Sequence, residues 1–375
     1  MQRAPRRRIV QWVKYVIVTF CPDSHVTQLT SEFDLIAKYF SHASKHADLG
    51  VGDDAALFRV AEGMQLAVST DMLVSGTHFF ADAAAYDIGW KALAVNVSDM
   101  AAMGAQPKWA TLAIALPEVL PSTPTPNSTP TLTLPLKEGG KISENWLAEF
   151  SRGFFACAEM FKVDLIGGDT TRGSLNISVT IMGEVPIGKA LRRDGAQVGD
   201  DIWLSGQLGG AALALAHLQG KIKLIDDATG QNHSSANLQA NIHALLRPMP
   251  RADLGLELRE IATSAIDISD GLAADLGHIL KASNVGAELL FAQIPYAPEA
   301  NKHAGFAAYV LAGGDDYELC FTAPPKLREK IEKISLELNL PIALIGNIHA
   351  GAGLVVLDEN KQKITIKNAG YDHFS

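Results

Sequence analysis

Short β-rich runs alternate with helical stretches along most of this chain, and this alternation limits the possible folds more than any other feature. Residues 66–70, 109–116 and 175–185 have the length and the residue types of strands. Apolar residues recur at steps of three and four around Trp90 and Phe150, which indicates helices that pack on a core. The sequence therefore predicts a first domain of mixed α and β structure.

The same alternation continues after residue 188 with new apolar runs, and it predicts a second domain. Strands are expected at 202–205, 264–268, 317–322 and 342–345, and helices at 209–218, 253–262, 272–282 and 326–338. A chain of 375 residues is long enough for two domains. We therefore predict an α+β protein with an N-terminal domain at 31–188 and a C-terminal domain at 189–375.

Two segments are predicted to lie outside these domains. Residues 1–30 combine arginines with an apolar run, but Lys14 interrupts the run and no small-residue cleavage site follows. The run of about 12 residues is also too short to span a bilayer, so we predict an N-terminal extension. Residues 119–141 are rich in Pro, Thr and Ser, which is typical of a surface insertion without chemistry.

Charge and cysteine content exclude several classes of protein. The net charge of −9 argues against a nucleic-acid binder, since such proteins need a basic face. The three cysteines are odd in number and form no CxxC motif, so no disulfide framework or zinc site is indicated. We therefore expect a cytoplasmic protein that binds neither nucleic acid nor membrane.

Acidic residues stand at the junctions between predicted segments. Carboxylates at strand ends can converge on one cavity, where they repel one another unless a cation binds. Oxygen ligands at loose spacing favour Mg²⁺ or Ca²⁺, and Mg²⁺ commonly binds phosphate oxygens as well. The pattern therefore indicates a nucleotide site. The acidic residues are Asp53, Asp54, Asp71, Asp99, Asp169, Asp267 and Asp270.

Several of these motifs also have a purely structural interpretation. A Gly-Asp-Asp sequence is typical of a turn, and the Ser-Asp pairs at 98–99 and 269–270 would suit helix N-caps. Segments 95–105 and 266–278 share a pattern of apolar and polar residues, which suggests two related sites. The segment around Asp169, GGDTTRG, is more specific, because its glycines let a ligand approach the backbone.

Familiar phosphate-binding motifs are missing from the sequence. There is no GxxxxGK followed by Ser or Thr, and no GxGxxG after a strand. His78 could contact an anionic ligand, although a lone histidine is more often structural. The nucleotide is therefore expected to bind in another way.

With these residues in view, the chain resembles the thiamine-monophosphate kinase family. This family belongs to a superfamily with aminoimidazole ribonucleotide synthetase and selenophosphate synthetase. The motifs are GVGDDAAL, AVSTDMLVSGTHF, KALAVNVSDMAAMGAQP, LIGGDTTRG, SAIDISDGL, GGDDYELCF and GYDHF. The resemblance implies a two-domain aminoimidazole ribonucleotide synthetase-like fold, each domain a mixed sheet with helices on one side. It also implies a homodimer formed through the N-terminal domain.

The resemblance further implies a set of site residues. The implied Mg²⁺ ligands, for several ions, are Asp54, Ser69, Thr70, Asp71, Asp99, Asp169, Asp267 and Asp270. The implied ATP contacts are Gly168, Asp169, Arg193 and Ser269, and the implied thiamine monophosphate contacts are His78, Asp315 and Tyr371. Asp315 stands where the family pattern leads one to expect Glu, which affects the substrate contact and not phosphoryl transfer.

The implied reaction is direct, Mg²⁺-dependent phosphorylation of thiamine monophosphate by ATP to thiamine diphosphate, the last step of that biosynthesis. No general base is expected, and metal-bound Asp71 and Asp169 would act electrostatically. Another member of the superfamily, which activates an amide or makes selenophosphate, is an alternative, although Cys21 lacks the glycine-rich setting of a selenophosphate synthetase. A non-catalytic scaffold that binds metal or nucleotide is the alternative from a different class.

Overall fold

The computed structural model describes residues 32–117, 144–224, 233–298, 300–303, 305–365 and 370–371. The predicted N-terminal extension at 1–30 and the Pro/Thr-rich insertion at 119–141 lie outside these residues, so both remain predictions. Within the described residues, no helix has both the length and the apolar character that crossing a membrane requires.

The N-terminal domain contains a four-stranded sheet. Its strands are β1 (Met64–Val74), β2 (Gln106–Leu116), β3 (Asp164–Arg172) and β4 (Asn176–Pro186). They lie in the order β1-β4-β2-β3, so β1 and β3 form the two edges. Strand β4 runs antiparallel to both neighbours, whereas β2 and β3 are parallel.

The helices of this domain are α1 (Glu32–Tyr39), α2 (Ala85–Ala102) and α3 (Glu144–Phe161). Helix α2 is buried on almost every side, which is typical of a helix inside a core. Gly89 of α2 lets α3 approach closely, because a Cβ atom there would overlap the carbonyl oxygen of Phe150. These two helices share one apolar core with the inward residues of the sheet.

The C-terminal domain contains a six-stranded sheet. Its strands are β5 (Asp201–Ser205), β6 (Ser264–Asp267), β7 (Gly286–Leu290), β8 (Leu319–Ala323), β9 (Ile342–His349) and β10 (Gly353–Leu357). They lie in the order β10-β7-β9-β5-β8-β6, and only β10 and β7 pair in parallel. The helices are α4 (Gly210–Leu218), α5 (His233–Leu246), α6 (Ala252–Glu257), α7 (Leu272–Ser283), α8 (Phe306–Ala312) and α9 (Arg328–Glu337).

Helix α2 also joins the two domains. Ala101 packs in a core cluster with Leu254 and Leu258 of the C-terminal domain. The indole Nε1 of Trp90 donates a hydrogen bond of 2.9 Å to the carbonyl oxygen of Pro248. The first half and the last turn of α2 therefore both contact the C-terminal domain.

The predicted α+β class with two mixed-sheet domains is confirmed, whereas the boundary near residue 188 remains a prediction. Strands β3, β7 and β10 and helices α1, α5 and α8 were not predicted. Strand β3 contains Gly167 and Gly168, which weaken a strand when judged alone. Its pairing with β2 supplies the missing support.

Two of the alternative interpretations of local sequence do not hold in the structure. Ser98 and Asp99 lie in the last turns of α2 and not at an N-cap, because the helix begins at Ala85. Segments 95–105 and 266–278 are not a structural repeat, since the first is the end of a helix and the second runs strand, turn and helix.

Candidate active site

A cavity of about 760 Å³ lies at the junction of the two domains. Strand β1 and helix α2 line it from one domain, and the turn after β6 lines it from the other. It brings together eight of the residues singled out from the sequence. They are Asp71, His78, Asp99, Asp267, Ser269, Asp270, Asp315 and Tyr371.

Asp71 and Asp99 enter the cavity from the N-terminal domain. Asp71 lies inside β1 and not after its end, since the strand continues to Val74. Its backbone N–H donates to Oδ1 of Asn96 at 3.2 Å. The hydroxyl of Ser69 donates to Oδ2 of Asp99. Positions 69 and 71 of β1 thus contact α2 directly.

Asp267 and Asp270 enter the cavity from the C-terminal domain. Asp267 ends β6, and its Oδ2 accepts a hydrogen bond of 2.7 Å from the hydroxyl of Ser98. The turn that carries Asp270 is held by Asp275, whose Oδ2 accepts the N–H groups of Asp270 at 3.1 Å and Gly271 at 3.0 Å. Gly271 has a φ of 122°, a left-handed conformation that favours glycine.

Burial and mutual repulsion make these carboxylates hard to ionise. Burial, with added repulsion from Asp99, Asp267 and Asp270, raises the pKa of Asp71 to about 7. Burial and repulsion from Asp99 raise the pKa of Asp267 to about 6. Burial also raises the pKa of Asp99. The cavity therefore holds several carboxylates whose negative charge is poorly compensated.

Asp315 also lines the cavity. Its Oδ1 lies 2.9 Å from Nζ of Lys91 and accepts a hydrogen bond of 3.0 Å from the hydroxyl of Tyr317. Lys91 belongs to α2, so this ion pair also connects the two domains. The carboxylate of Asp315 therefore has a direct cationic partner from the other domain.

His78 and Tyr371 lie at the rim of the same cavity. The Nδ1 atom of His78 accepts the backbone N–H of Val74 at 3.0 Å, so the ring proton of the neutral form is on Nε2. Tyr371 has an exposed fraction of 53%, and its backbone N–H donates to the carbonyl oxygen of Asp270 at 3.1 Å. A main-chain N–H group therefore holds the ring of His78, and a main-chain hydrogen bond anchors the segment that carries Tyr371.

A second cavity, of about 550 Å³, contains other residues singled out from the sequence. Asp54, Gly168 and Asp169 line this cavity together with residues of α1. Asp169 lies in β3 and Asp71 in β1, at opposite edges of the sheet. Three strand spacings separate these edges, or about 14 Å. The two groups of acidic residues do not share one cavity within a single chain.

The remaining predicted ligands lie outside both cavities. Thr70 shares a hydrogen bond of 2.8 Å with the hydroxyl of Thr180. Arg193 is exposed after β4, and its positive charge lowers the pKa of Asp99 and Asp267 against the effect of burial. Among the residues that the structure describes, no three His, Cys, Asp or Glu side chains form a ready metal site.

Three residues of the cavity region were not found from the sequence. Lys91 and Tyr317 hold Asp315, and Asp275 holds the turn at Asp270. Lys91 had a detectable signal, because it is the one charged residue between Asp87 and Asp99 in the described helix α2. Asp275 and Tyr317 had none, since their roles depend on backbone and side-chain contacts.

The two sheets, joined at a cavity that carries acidic residues from both domains, define the class of the protein. The model of the AIR synthase related protein family matches at residues 52–185 for its N-terminal domain and 197–359 for its C-terminal domain. The fold is thus that of an AIR synthase related protein.

Individual relatives define the family more narrowly. The thiamine-monophosphate kinase of Escherichia coli K12 is 40% identical over 350 residues, which are 92% of this chain and 98% of the relative. The crystal structure of thiamine-monophosphate kinase from Stenotrophomonas maltophilia K279a is 46% identical, with a TM-score of 0.71, and the match covers 83% of this chain and 91% of that one. The chain belongs to the thiamine-monophosphate kinase family, as the motifs predicted.

A third relative was solved with ligands. The structure of AaThiL complexed with AMPPCP and TMP is 29% identical to this chain, with a TM-score of 0.67. The match covers 86% of this chain and 92% of that one. AMPPCP is an analogue of ATP in which the terminal phosphoryl group cannot be transferred.

Proposed function

We propose that this chain transfers the γ-phosphoryl group of ATP directly to thiamine monophosphate, giving ADP and thiamine diphosphate. The observation that carries the proposal is the cavity at the domain junction, where Asp71, Asp99, Asp267 and Asp270 converge from two domains. The names of the relatives and the two ligands of AaThiL support the same reaction.

Magnesium ions fit this cavity because its side chains are buried, negatively charged oxygen donors whose repulsion a divalent cation would relieve. Mg²⁺ bound there would neutralise charge on both phosphates and on the transferring group. The proposed ligands are Asp71, Asp99, Asp267 and Asp270 in this cavity, Ser69 and Thr70 on β1, and Asp54 and Asp169, which line the second cavity.

No side chain is needed as a general base. The second pKa of a phosphate monoester is about 6, so the attacking oxygen of thiamine monophosphate is already deprotonated at neutral pH. The role of Asp71 and Asp169 is therefore electrostatic, by holding positive charge where the phosphates meet. Direct transfer also predicts that no phosphorylated residue accumulates on the enzyme.

The other residues are proposed to bind and orient the two substrates. On the nucleotide side, the backbone of Gly168 would approach ATP, with Arg193 and Ser269 as polar contacts. On the acceptor side, the Nε2–H group of His78 would donate to the phosphate of thiamine monophosphate. The exposed ring of Tyr371 would stack on the thiamine, and Asp315 would accept a hydrogen bond from it.

We further propose a homodimer formed through the open face of the four-stranded sheet. Leu66, Val68 and Met72 alternate along β1 and have exposed fractions of 41%, 57% and 54%, so they point to one face. A two-fold axis along the strands would place the β3 edge of one sheet over the β1 edge of its partner. Asp169 of one chain would then approach the cavity of the other. The use of ATP by this protein would fit a location in the cytoplasm.

The proposed function is tested with purified protein, ATP, Mg²⁺ and thiamine monophosphate, and thiamine diphosphate is detected by mass. Unphosphorylated thiamine serves as the matched acceptor control. Its alcohol would need a general base to remove the proton, and the proposed mechanism has none. Formation of ADP without thiamine diphosphate would reject the reaction. A phosphorylated residue trapped during turnover would reject direct transfer.

A further inference from the structure

Lys91 is a buried cation on a helix that is otherwise apolar in this region. The residue has an exposed fraction of 5% and follows Trp90 in α2. Its Nζ lies 2.9 Å from Oδ1 of Asp315, and both residues line the cavity at the domain junction. Lysine is rarely so deeply buried unless it is paired.

A second donor reaches the same oxygen of Asp315. The hydroxyl of Tyr317 donates to Oδ1 at 3.0 Å, so both polar contacts of this carboxylate involve one atom. Within the described chain, the other oxygen, Oδ2, accepts no hydrogen bond. The carboxylate is thus held from one side and open on the other.

The backbone around Asp315 is also constrained. Asp315 has a φ of 68° and Tyr317 a φ of 50°, and such left-handed conformations are unfavourable for residues other than glycine. The N–H of Asp315 donates to the carbonyl oxygen of Ser269 at 2.8 Å, and the N–H of Tyr317 donates to that of Ile268 at 2.8 Å. The loop that carries Asp315 is therefore tied to the turn after β6.

We propose that Lys91 is a positioning residue that acts through Asp315 and sets the affinity for the acceptor substrate. Lys91 holds Oδ1, which directs Oδ2 towards an N–H donor of the acceptor's ring. A buried ion pair contributes little net stability, because desolvation offsets the attraction. It does, however, restrict the carboxylate to one orientation. The inference rests on the proposed function and deepens it.

Another role for Lys91 would be a direct contact with a phosphate group. The two roles differ in what they do to the kinetics. A phosphate contact would strengthen in the transition state, so its loss would lower kcat or the affinity for ATP. A residue that acts through Asp315 affects mainly the KM for thiamine monophosphate.

The test is steady-state kinetics of Lys91→Met, Asp315→Asn and the double variant. Lys91→Met is expected to raise the KM for thiamine monophosphate about tenfold, the size expected for hydrogen bonds to a charged group. The kcat and the KM for ATP should stay within about threefold of those of the unmodified protein. The double variant should be no worse than Asp315→Asn alone, because the two residues act as one unit. Lys91→Arg, which keeps the charge, should recover part of the loss.

Lys189→Met is the matched control. Lys189 forms an exposed ion pair of 2.9 Å with Glu260 outside the cavity, so its removal should leave all three kinetic constants unchanged. Should Lys91→Met fail to fold, Tyr317→Phe removes the other donor to Oδ1 and is expected to raise the same KM by a smaller factor.

Additive losses in the double variant, or a large fall in kcat or in ATP affinity, would overturn the role of Lys91. An unchanged KM for thiamine monophosphate in Lys91→Met would do the same. If the unmodified protein makes no thiamine diphosphate at all, the proposed function and this inference both fail.

Discussion

The hydroxyl of Ser98 donates a hydrogen bond of 2.7 Å to Oδ2 of Asp267, across 169 positions of sequence. Ser98 belongs to α2 and Asp267 to the end of β6, so the bond joins the two domains. Both residues are buried, with exposed fractions of 0% and 4%. This hydrogen bond lowers the pKa of Asp267, against the larger effect of burial.

Ser98→Ala is therefore expected to destabilise the protein at neutral pH. Removing the donor leaves a buried carboxylate short of a partner, which costs about 1–3 kcal/mol. Urea unfolding at about pH 7.5 and about pH 5 measures the effect, which should be smaller at the lower pH because Asp267 then binds a proton more readily. Ser335→Ala is the control, since the hydroxyl of Ser335 donates to the carbonyl oxygen of Leu340, which is a neutral acceptor. Equal losses in the two variants would contradict the prediction.

The metal-free protein is expected to lose stability as the pH rises from about 4 to about 7. The pKa of Asp71 and Asp275 is about 7 and that of Asp267 about 6, against an ordinary value of 3.8. In this range the folded state keeps protons that the unfolded state releases, so a higher pH favours unfolding. Thermal unfolding in EDTA at several pH values measures this slope.

Magnesium should reverse this dependence. The ion binds deprotonated carboxylates, so the rise in Tm on adding MgCl₂ should be larger at about pH 8 than at about pH 5. In Asp71→Asn, the dependence of stability on pH in EDTA should be weaker, and the rise in Tm on adding MgCl₂ should be smaller. A Tm that responds equally to MgCl₂ at both pH values would count against a carboxylate metal site.

Asp71→Asn should lower kcat by about 100-fold or more while the fold stays intact, because it removes charge that acts on the transition state. Its metal-free stability should rise, since Asp71 no longer repels Asp99, Asp267 and Asp270. Steady-state kinetics and thermal unfolding check both effects. Asp82→Asn, outside the cavity, is the matched control, and near-normal turnover in Asp71→Asn would remove this residue from the mechanism.

Asp169→Asn is expected to lower kcat to a similar degree, although Asp169 lines a different cavity of its own chain. The reason is the proposed dimer, in which Asp169 of one chain would approach the cavity at the domain junction of its partner. A loss of turnover accompanied by an unchanged dimer, checked by light scattering, is the expected result. Full activity would restrict the site to the carboxylates at the domain junction.

Val68→Glu should convert the proposed dimer into monomers. The substitution buries a charge in the apolar contact between the open sheet faces, which is strongly unfavourable. Light scattering measures the mass, and turnover should fall together with the dimer if Asp169 acts across the interface. Leu336→Glu is the control, because Leu336 has an exposed fraction of 82% on α9. A Val68→Glu protein that keeps its mass would exclude this face as the contact.

Local patterns predicted the parts of the site that are local in the structure. Asp267, Ser269 and Asp270 follow a short apolar run and precede a helix, and the structure has the same strand, turn and helix. Asp71 and Asp99 were recognised by residue type but assigned to the wrong parts of their elements. Strand periodicity does not reveal where a strand ends when its pairing with β4 extends it to Val74.

Contacts between distant elements could not be predicted in this way. The sequence shows Lys91 only as one charged residue among apolar neighbours in a helix. The structure shows that its Nζ lies 2.9 Å from Oδ1 of Asp315. The division of the acidic residues between two cavities depends on the strand order β1-β4-β2-β3, and strand order is not encoded by periodicity.

The sequence by itself determined the α+β class, the order of most elements, the family and the acidic residues on which the chemistry depends. These follow from hydrophobic periodicity, turn residues and short motifs, which act over a few positions of the chain. Only the tertiary structure decided which carboxylates meet, which of them resist ionisation and which cation holds Asp315. Burial and charge repulsion act through space, so they exist only once the two domains have closed around the cavity.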